Sequence, residues 1–207
     1  MNQQNWNTIT SDLLIHEYPI ETPLDTQRIE KTKYETIWTF NEYRKECMGE
    51  AVVDDFIEKA KVLPSDIIID FGCGTGRSAR AIQASAGCHV LLVDFASNCL
   101  DPNISLPYIE LNLSEPMNLY GDVGFCTDVL EHIPGTFLDK VISNIMYCTH
   151  RAFFMIALQP DRMGALIDEP LHLSVHPFEF WQDKFSAYRI LSAAHSPDHA
   201  QFYVERR

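Results

Sequence analysis

A glycine-rich turn between an apolar run and a helical pattern constrains the fold of this chain more than any other feature. The three isoleucines at 67–69 are consecutive and β-branched, which is typical of a parallel strand buried on both faces. Glycine occupies every second position of the segment 72–76, and a helical pattern continues to about residue 86. A strand, a glycine turn and a helix in this order predict the ligand-binding edge of an α/β sheet.

The alternation of strand and helix continues along the chain and predicts a parallel sheet with right-handed crossovers. After the strand at 67–69, short apolar or alternating runs predict six further strands. A capping box at Thr136 and Asp139 predicts the start of the helix that follows the fourth strand. The further strands are predicted at 90–93, 106–111, 123–126, 152–157, 187–192 and 201–205, and other helices at 41–63 and 179–185.

Length and charge limit the possible partners. The 207 residues suit one domain, and the formal net charge is −13. Proteins that grip nucleic acid through its phosphates normally present a basic face, and 16 Lys and Arg against 29 Asp and Glu leave little for one. The balance favours a small-molecule or protein substrate and disfavours nucleic acid.

The sequence also predicts a cellular location. It has no apolar run of about 18 residues that would span a membrane, and residues 1–12 lack the basic-then-apolar order of a signal peptide. The six cysteines form no CxxC pair, and several lie in apolar runs. We therefore expect a reduced, cytoplasmic protein without a membrane span.

Two residues beside the glycine turn discriminate between nucleotide-like ligands. Arg77 occupies the position at which a dinucleotide-binding turn carries its third glycine. Asp70 lies two residues before the first glycine, where an anion repels a pyrophosphate and attracts an amino group. S-adenosylmethionine carries an ammonium and a sulfonium and has no phosphate, so the charges favour it over NAD.

The segment 70–76, with the sequence Asp-Phe-Gly-Cys-Gly-Thr-Gly, resembles motif I of the class I S-adenosylmethionine-dependent methyltransferases. The stretch 121–134 is similar to the fourth-strand motif of small-molecule members, such as those of ubiquinone biosynthesis. This resemblance implies an α/β fold: a Rossmann-like, seven-stranded, mostly parallel sheet with helices on both faces and an antiparallel C-terminal strand. It further implies a single domain, 1–207, with an N-terminal cap at 1–40 and the methyltransferase core at 41–207.

The resemblance also implies which residues hold the cofactor. Asp94 takes the place of the acid that binds both ribose hydroxyls, and Phe95 either stacks on the adenine or fills the core. Asn112 and Leu113 stand where the family has an Asp-Leu pair, whose acid accepts a hydrogen bond from the adenine amino group. The side-chain carbonyl of Asn112 can also accept that hydrogen bond. Taken singly, Asp94 also fits a turn and Asp128 a helix start. The implied set is Asp70, Phe71, Gly72, Cys73, Gly74, Gly76, Asp94, Phe95, Asn112, Leu113, Thr127 and Asp128.

Four residues are candidates for catalysis. Transfer from a sulfonium is an in-line displacement, so the remaining task is to remove a proton if the acceptor is an alcohol or an ammonium. Glu131 and His132 follow the fourth strand, where cofactor and acceptor meet in the family, and His172 and His176 lie on the loop after the fifth. Histidine suits proton transfer near neutral pH, although each histidine alone also fits a structural role.

A second resemblance concerns a metal. Asp128, Glu131, His132 and a later histidine near residues 178–181 resemble the metal site of the small-RNA 3′-terminal methyltransferases, which implies a divalent ion held against RNA hydroxyls. The first acid is Asp where that family uses Glu, and no basic RNA-binding surface is evident in this acidic chain. The main interpretation therefore includes no metal.

The N-terminal segment supplies aromatic side chains, whose faces suit a sulfonium. In related small-molecule enzymes this region caps the cofactor and helps to build the acceptor pocket; ordinary packing of an N-terminal helix is the alternative. Pro19 and Pro23 are expected to break any long element there. The aromatic residues are Tyr18, Tyr34, Trp38 and Tyr43.

The leading interpretation is an S-adenosylmethionine-dependent methyltransferase that acts on a small-molecule acceptor. A metal-dependent 2′-O-methyltransferase of RNA ends, a nicotinamide-dependent oxidoreductase and a non-catalytic module that keeps the cofactor-binding fold remain alternatives. Nothing in the sequence distinguishes O-, N- or C-methylation or predicts the oligomeric state.

Overall fold

A seven-stranded sheet forms the centre of the protein in a computed structural model that describes residues 23–46 and 48–207. The spatial order is β3-β2-β1-β4-β5-β7-β6, in which the first five strands pair in parallel and β7 runs antiparallel to both of its neighbours. The predicted fold class is confirmed. The strands are β1 (Ile67–Phe71), β2 (His89–Asp94), β3 (Tyr108–Glu110), β4 (Gly121–Thr127), β5 (Thr149–Ala157), β6 (Arg189–His195) and β7 (His199–Glu205).

Helices cover both faces of this sheet, and each face has its own hydrophobic core. One core contains the inward side chains of α5 and α6, and the other contains those of α1, α3 and α4. No helix in the described ranges is long and apolar enough to cross a membrane. The helices are α1 (Pro23–Ile37), α2 (Asn41–Lys45), α3 (Val53–Ala60), α4 (Arg77–Ala86), α5 (Leu138–Cys148) and α6 (Phe178–Lys184).

The single helix predicted at 41–63 is wrong, because the chain forms α2, a 3-10 turn at Met48–Val52 and then α3. Gly49 explains the interruption. A Cβ atom on this residue would lie 2.5 Å from Thr127 Oγ1 and 2.7 Å from Ser78 Oγ. The backbone at Gly49 therefore packs directly on β4 and α4, and this contact, which no local pattern reveals, ends the helical path.

Two predictions about helix starts are also wrong. Pro23 does not prevent a long element but opens the 15-residue α1, since proline is tolerated in the first turn of a helix. The capping box at Thr136 and Asp139 does not form, because a 3-10 turn at Gly135–Phe137 moves the start of α5 to Leu138. Asp139 instead accepts a hydrogen bond of 2.6 Å from Lys184.

The sheet topology brings strand ends from distant parts of the chain to one edge. The carboxyl ends of the parallel strands β1 to β5 meet there, as they do at ligand sites of open α/β sheets. Because β7 is antiparallel to β5, with Ala157 opposite His199, the amino end of β7 joins the same edge. Residues from the far end of the sequence therefore reach the site.

Packing of α6 on the sheet gives a test of the fold. The Trp181 side chain is fully buried in the core on the α5 and α6 face. We expect Trp181→Ala to lower the free energy of unfolding by about 3–5 kcal/mol in urea denaturation followed by circular dichroism. Tyr120→Ala, which removes a ring that is 80% exposed, should change it by less than about 0.5 kcal/mol. Equal losses in the two variants would contradict this assignment of the core.

Candidate functional site

Two adjoining cavities lie at this edge of the sheet. The cavity beyond β2 and β3, here called the Asp94 cavity, has a volume of about 820 Å³ including its opening to solvent. The cavity beyond β4 and β5 is called the His172 cavity. The Asp94 cavity is lined in part by Asp94, Phe95, Asn112, Leu113 and Val129, and the His172 cavity by Asp70, Cys73, Gly74, Thr127, His172 and His199. Both are bordered by Trp38, Tyr43, Gly72, Asp128 and His132.

The glycine turn after β1 is packed tightly against the loop after β4. Gly72 has a φ of +74°, and a Cβ atom there would lie 2.4 Å from Cγ2 of Val129. Only glycine tolerates both this conformation and this contact. The arrangement holds Asp128, itself at a φ of +53°, beside the turn.

Asp94 fixes the other side of the turn and keeps capacity for a ligand. One carboxylate oxygen accepts the Gly74 N–H and the other accepts the Ala96 N–H, both at 3.0 Å. Burial raises the pKa of Asp94, and the backbone hydrogen bonds oppose that rise. The Phe95 N–H also interacts with this carboxylate, and the lone pairs that remain can accept hydroxyl groups from the cavity.

The far part of the Asp94 cavity combines an aromatic face with an amide. The Phe95 ring lies 5.4 Å from the Tyr34 ring, measured between centroids. Asn112 Oδ1 accepts the Ser114 N–H at 2.9 Å and retains one lone pair. Together with Leu113, these groups form a surface suited to a flat heterocycle that carries an amino group.

Asp70 is buried at the end of β1 and lacks a partner for one oxygen. Its Oδ2 accepts no hydrogen bond from any described residue, and the residue lines the His172 cavity. Burial, with a contribution from the charge of Asp94, raises the pKa of Asp70 to about 8. Asp70 Oδ2 can therefore accept a hydrogen bond from a donor group that enters the cavity.

Two residues of the implied cofactor set line neither cavity. Phe71 is fully buried in the hydrophobic core. Gly76 caps the start of α4 and packs against Ile104 and Leu100. The remaining members, Asp70, Gly72, Cys73, Gly74, Asp94, Phe95, Asn112, Leu113, Thr127 and Asp128, line one cavity or both.

His132 and His172 are brought together at the site. Their ring centroids lie 4.7 Å apart, with the rings at 84° to each other. His132 Nδ1 lies 2.6 Å from the Tyr34 hydroxyl and 3.1 Å from the Leu171 carbonyl oxygen, and His172 Nδ1 lies 2.6 Å from the Gln159 carbonyl oxygen. Burial, aided by His172, lowers the pKa of His132 to about 3, so this ring is neutral.

Glu131 lines neither cavity and is fully buried beside them. Its Oε1 accepts the Ala157 N–H at 2.9 Å, and its backbone carbonyl accepts the N–H groups of Leu173 and Ser174. Burial and the charge of Asp128 raise the pKa of Glu131 well above its usual range. The residue thereby ties the long loop after β5 to the loop after β4.

His176 is not brought to the site. Its ring stacks on Phe180 with centroids 3.7 Å apart and lies 6.0 Å from the Trp181 ring. The residue lines neither cavity, because packing on α6 turns it away from the sheet edge. Of the two loop histidines, only His172 reaches the site.

Sequence patterns missed two contributions to the site. His199 lines the His172 cavity, with its Nε2 3.8 Å from Asp128 Oδ1, and no motif surrounds it. Arg44 donates to the carbonyl oxygens of Asn98 and Leu100 and to the Asp101 carboxylate, which fastens α2 to the loop after β2. The antiparallel pairing of β7 places His199, and long-range hydrogen bonds place Arg44. Local sequence patterns therefore could not predict either position.

The N-terminal aromatic residues build the border of the cavities. Tyr34, Trp38 and Tyr43 line the Asp94 cavity, and Tyr34 also belongs to the core beneath α1. Core packing and pocket formation were predicted as alternatives, and Tyr34 on α1 takes part in both. Tyr18 and Pro19 lie outside the described residues.

Asp70 gives a test of the electrostatics of the site. Because its pKa in the folded chain is about 8 and its usual value is 3.8, the folded state holds a proton that the unfolded state releases. The stability that this proton contributes is present below about pH 4 and is lost as the pH rises through about 8. We expect the free energy of unfolding of the wild type, relative to Asp70→Asn, to fall across this interval in urea titrations.

The same comparison with Asp139→Asn, which removes an exposed carboxylate on α5, controls for the loss of one acid. A wild-type advantage over Asp70→Asn that grows or stays constant from about pH 4 to about pH 8 would contradict the burial of a protonated Asp70.

Comparison with known proteins identifies solved structures of similar fold. Neither family models nor curated protein sequences give a match to the chain. The 1,6-didemethyltoxoflavin-N1-methyltransferase of Burkholderia thailandensis, solved with 1,6-didemethyltoxoflavin and S-adenosylhomocysteine, matches with a TM-score of 0.67 and 10% identity, over 91% of this chain and 92% of that one.

Magnesium protoporphyrin IX methyltransferase of Synechocystis, solved with bound S-adenosylmethionine, matches with a TM-score of 0.62 and 15% identity, over 86% of this chain and 97% of that one. TehB of Haemophilus influenzae matches with a TM-score of 0.59 and 14% identity over 74% of this chain, which spans only 62% of TehB. The chain has the fold of the class I S-adenosylmethionine-dependent methyltransferases.

Proposed function

We propose that this protein is an S-adenosylmethionine-dependent methyltransferase that acts on a small molecule bound in the His172 cavity. The observation that carries the proposal is the shared border of the two cavities at Gly72, Asp128 and His132. A ligand that extends from the Asp94 cavity across this border to Asp70, which lines the His172 cavity, would present its central part to a second molecule bound in the rest of the His172 cavity.

The hydrogen-bond acceptors and the aromatic surface of the site fit S-adenosylmethionine. The lone pairs that remain on the Asp94 carboxylate suit the ribose hydroxyls, and the buried oxygen of Asp70 that accepts no hydrogen bond from a described residue suits the ammonium group. Phe95 and Asn112 suit the adenine ring and its amino group. When bound, S-adenosylmethionine supplies an activated methyl group for in-line transfer. The chain itself contributes binding and orientation, which account for much of the rate of such a displacement.

The His172 cavity suits a polar acceptor of modest size. Trp38, Tyr43 and Met163 provide apolar surface, while Gln159 and Arg162 provide hydrogen-bonding groups. The two neighbouring structures named above as methyltransferases are named for small-molecule acceptors, a didemethyltoxoflavin and a magnesium porphyrin. The net charge of −13 further favours a small molecule over nucleic acid.

His132 and His172 are the groups placed to assist the acceptor. His132 borders both cavities and His172 lines the acceptor side. The hydroxyl of Tyr34 holds His132 in position from α1. Glu131 supports this arrangement from behind the site, since its backbone carbonyl holds the loop that carries His172.

Ligand-dependent stabilisation tests the cofactor half of the proposal. S-adenosylhomocysteine at 100 times its Kd should stabilise the wild type by about 2.7 kcal/mol, a rise in Tm of about 5–11 °C. Asp94→Asn removes one acceptor oxygen, so we expect it to weaken binding by at least about tenfold, which is about 1.4 kcal/mol.

Asp183→Asn, which changes an exposed acid on α6, is the matched control and should keep the full ligand-induced shift. Stabilisation by NAD and not by S-adenosylhomocysteine would contradict the proposal and favour an oxidoreductase. Stabilisation by S-adenosylhomocysteine without methyl transfer to any acceptor in a small-molecule library would favour a binding module.

A further inference from the structure

Two buried thiols lie beside the Asp94 carboxylate. The Sγ atoms of Cys73 and Cys99 and one carboxylate oxygen of Asp94 lie within 4.8 Å of one another. Cys73 belongs to the glycine turn and lines the His172 cavity, whereas Cys99 is fully buried in the loop after β2. Neither thiol forms a disulfide. The proposed function gives no role to this pair of sulfur atoms.

Backbone hydrogen bonds hold the three groups at their positions. The glycine turn is joined to the end of β2, because the N–H of Gly74 donates to the Asp94 carboxylate at 3.0 Å. The Ala96 N–H donates to the same carboxylate, and the Ala96 carbonyl oxygen accepts the N–H of Cys99 at 3.3 Å. The loops that carry the two thiols are therefore both attached to Asp94, which preorganises the two sulfur atoms and the carboxylate.

The surroundings of the two thiols are rich in carboxyl groups. The hydrogen bond with Cys99 and burial raise the pKa of the Cys73 thiol, and the charges of Asp94 and Asp70 raise it further. Among the described residues, no lysine, arginine or histidine forms an ion pair with Asp70 or Asp94. The Oδ2 atom of Asp70 also accepts no hydrogen bond from any described residue. Two buried acids beside two thiols, without a cationic side chain, form a site that attracts positive charge.

We propose that Cys73, Cys99 and Asp94 bind a thiophilic divalent cation, Zn²⁺ or Cd²⁺, when the cofactor is absent. Two thiolates and one carboxylate are a ligand set that such cations prefer. Each thiol releases its proton to solvent as its sulfur binds the cation, and no electron is transferred. Three protein ligands leave one coordination position for water from the cavities.

Only a small adjustment is needed for coordination. Metal–sulfur bonds of about 2.3 Å in a tetrahedral site separate two sulfur atoms by about 3.8 Å. Because the ligand atoms already lie within 4.8 Å of one another, the two sulfur atoms need to approach by about 1 Å at most. The Asp94 oxygens keep lone pairs beyond those that accept backbone N–H groups, and one of these can bind the cation.

The cation and the cofactor exclude one another, and this part of the inference rests on the proposed function. A cation on Asp94 occupies a lone pair that the ribose hydroxyls would use. Cys73 lies in the same turn as Asp70, so a divalent charge there also repels the ammonium and sulfonium groups of S-adenosylmethionine. Cofactor binding is therefore sensitive to thiophilic cations, and bound cofactor protects the two thiols.

Cadmium(II) is the probe for this site, because Cd²⁺ bound by thiolates gives an ultraviolet charge-transfer band that carboxylates do not give. The full chain, reduced and then freed of reductant and chelator, is titrated with CdCl₂. We expect a component of the band that saturates at one Cd²⁺ per chain, with a Kd at least about tenfold higher in Cys73→Ala and in Cys99→Ala. Cys88→Ala, which removes a buried thiol beside the opposite end of β2, should leave that Kd within about twofold.

Competition with S-adenosylhomocysteine tests the exclusion. At about 100 times its own Kd, this ligand should raise the apparent Kd of Cd²⁺ about 100-fold. Circular dichroism and the thermal shift with S-adenosylhomocysteine, measured on the same samples, show whether each variant is folded and whether the proposed function holds.

The outcomes separate the cation site from the proposed function. A wild type without the band at about 1 mM Cd²⁺, or folded variants that keep it unchanged, overturns the cation site. An unchanged Kd for Cd²⁺ in a wild type whose Tm responds to S-adenosylhomocysteine overturns the exclusion and with it the inference. Cd²⁺ binding at Cys73 and Cys99 without any thermal response to S-adenosylhomocysteine overturns the proposed function and leaves the cation site in place.

Discussion

Close packing between the turn after β1 and the loop after β4 determines where both cavities lie. Any side chain at residue 72 would overlap Val129, so glycine alone allows the two loops to meet. That contact holds Asp128 and His132 at the border of the cavities, and Asp94 fixes the opposite side of the turn through two backbone N–H groups. The proposed cofactor half and acceptor half therefore depend on one backbone arrangement.

Unpaired buried acids are the second organising feature. Asp70 and Glu131 each have one oxygen that no described residue donates to. Such groups reduce the stability of a folded chain unless a partner arrives, and they cluster at functional sites. The proposed function gives Asp70 a cationic partner, the ammonium group of the cofactor, whereas Glu131 lies against the carboxyl of Asp128.

The sheet was predictable from sequence because its strands are continuous apolar runs separated by local stop signals. The errors occurred where tertiary contacts override local patterns, as at Gly49, which packs on Thr127 and Ser78 and interrupts a helix. The long loop after β5 shows the same limit. Its path is set by the Asp161 carboxylate and the Glu131 carbonyl, which accept its backbone N–H groups, and spacing alone did not reveal that His172 turns inward and His176 outward.

A crystal structure with bound S-adenosylhomocysteine tests the central claim, that the cofactor extends from the Asp94 cavity across the shared border to Asp70 and leaves the rest of the His172 cavity to the acceptor. The account predicts ribose hydroxyls on the Asp94 carboxylate, the amino group at Asp70, and the sulfur between Asp128 and His132, facing the His172 cavity. A ligand whose sulfur points away from that cavity, or whose ribose lies away from Asp94, would contradict it.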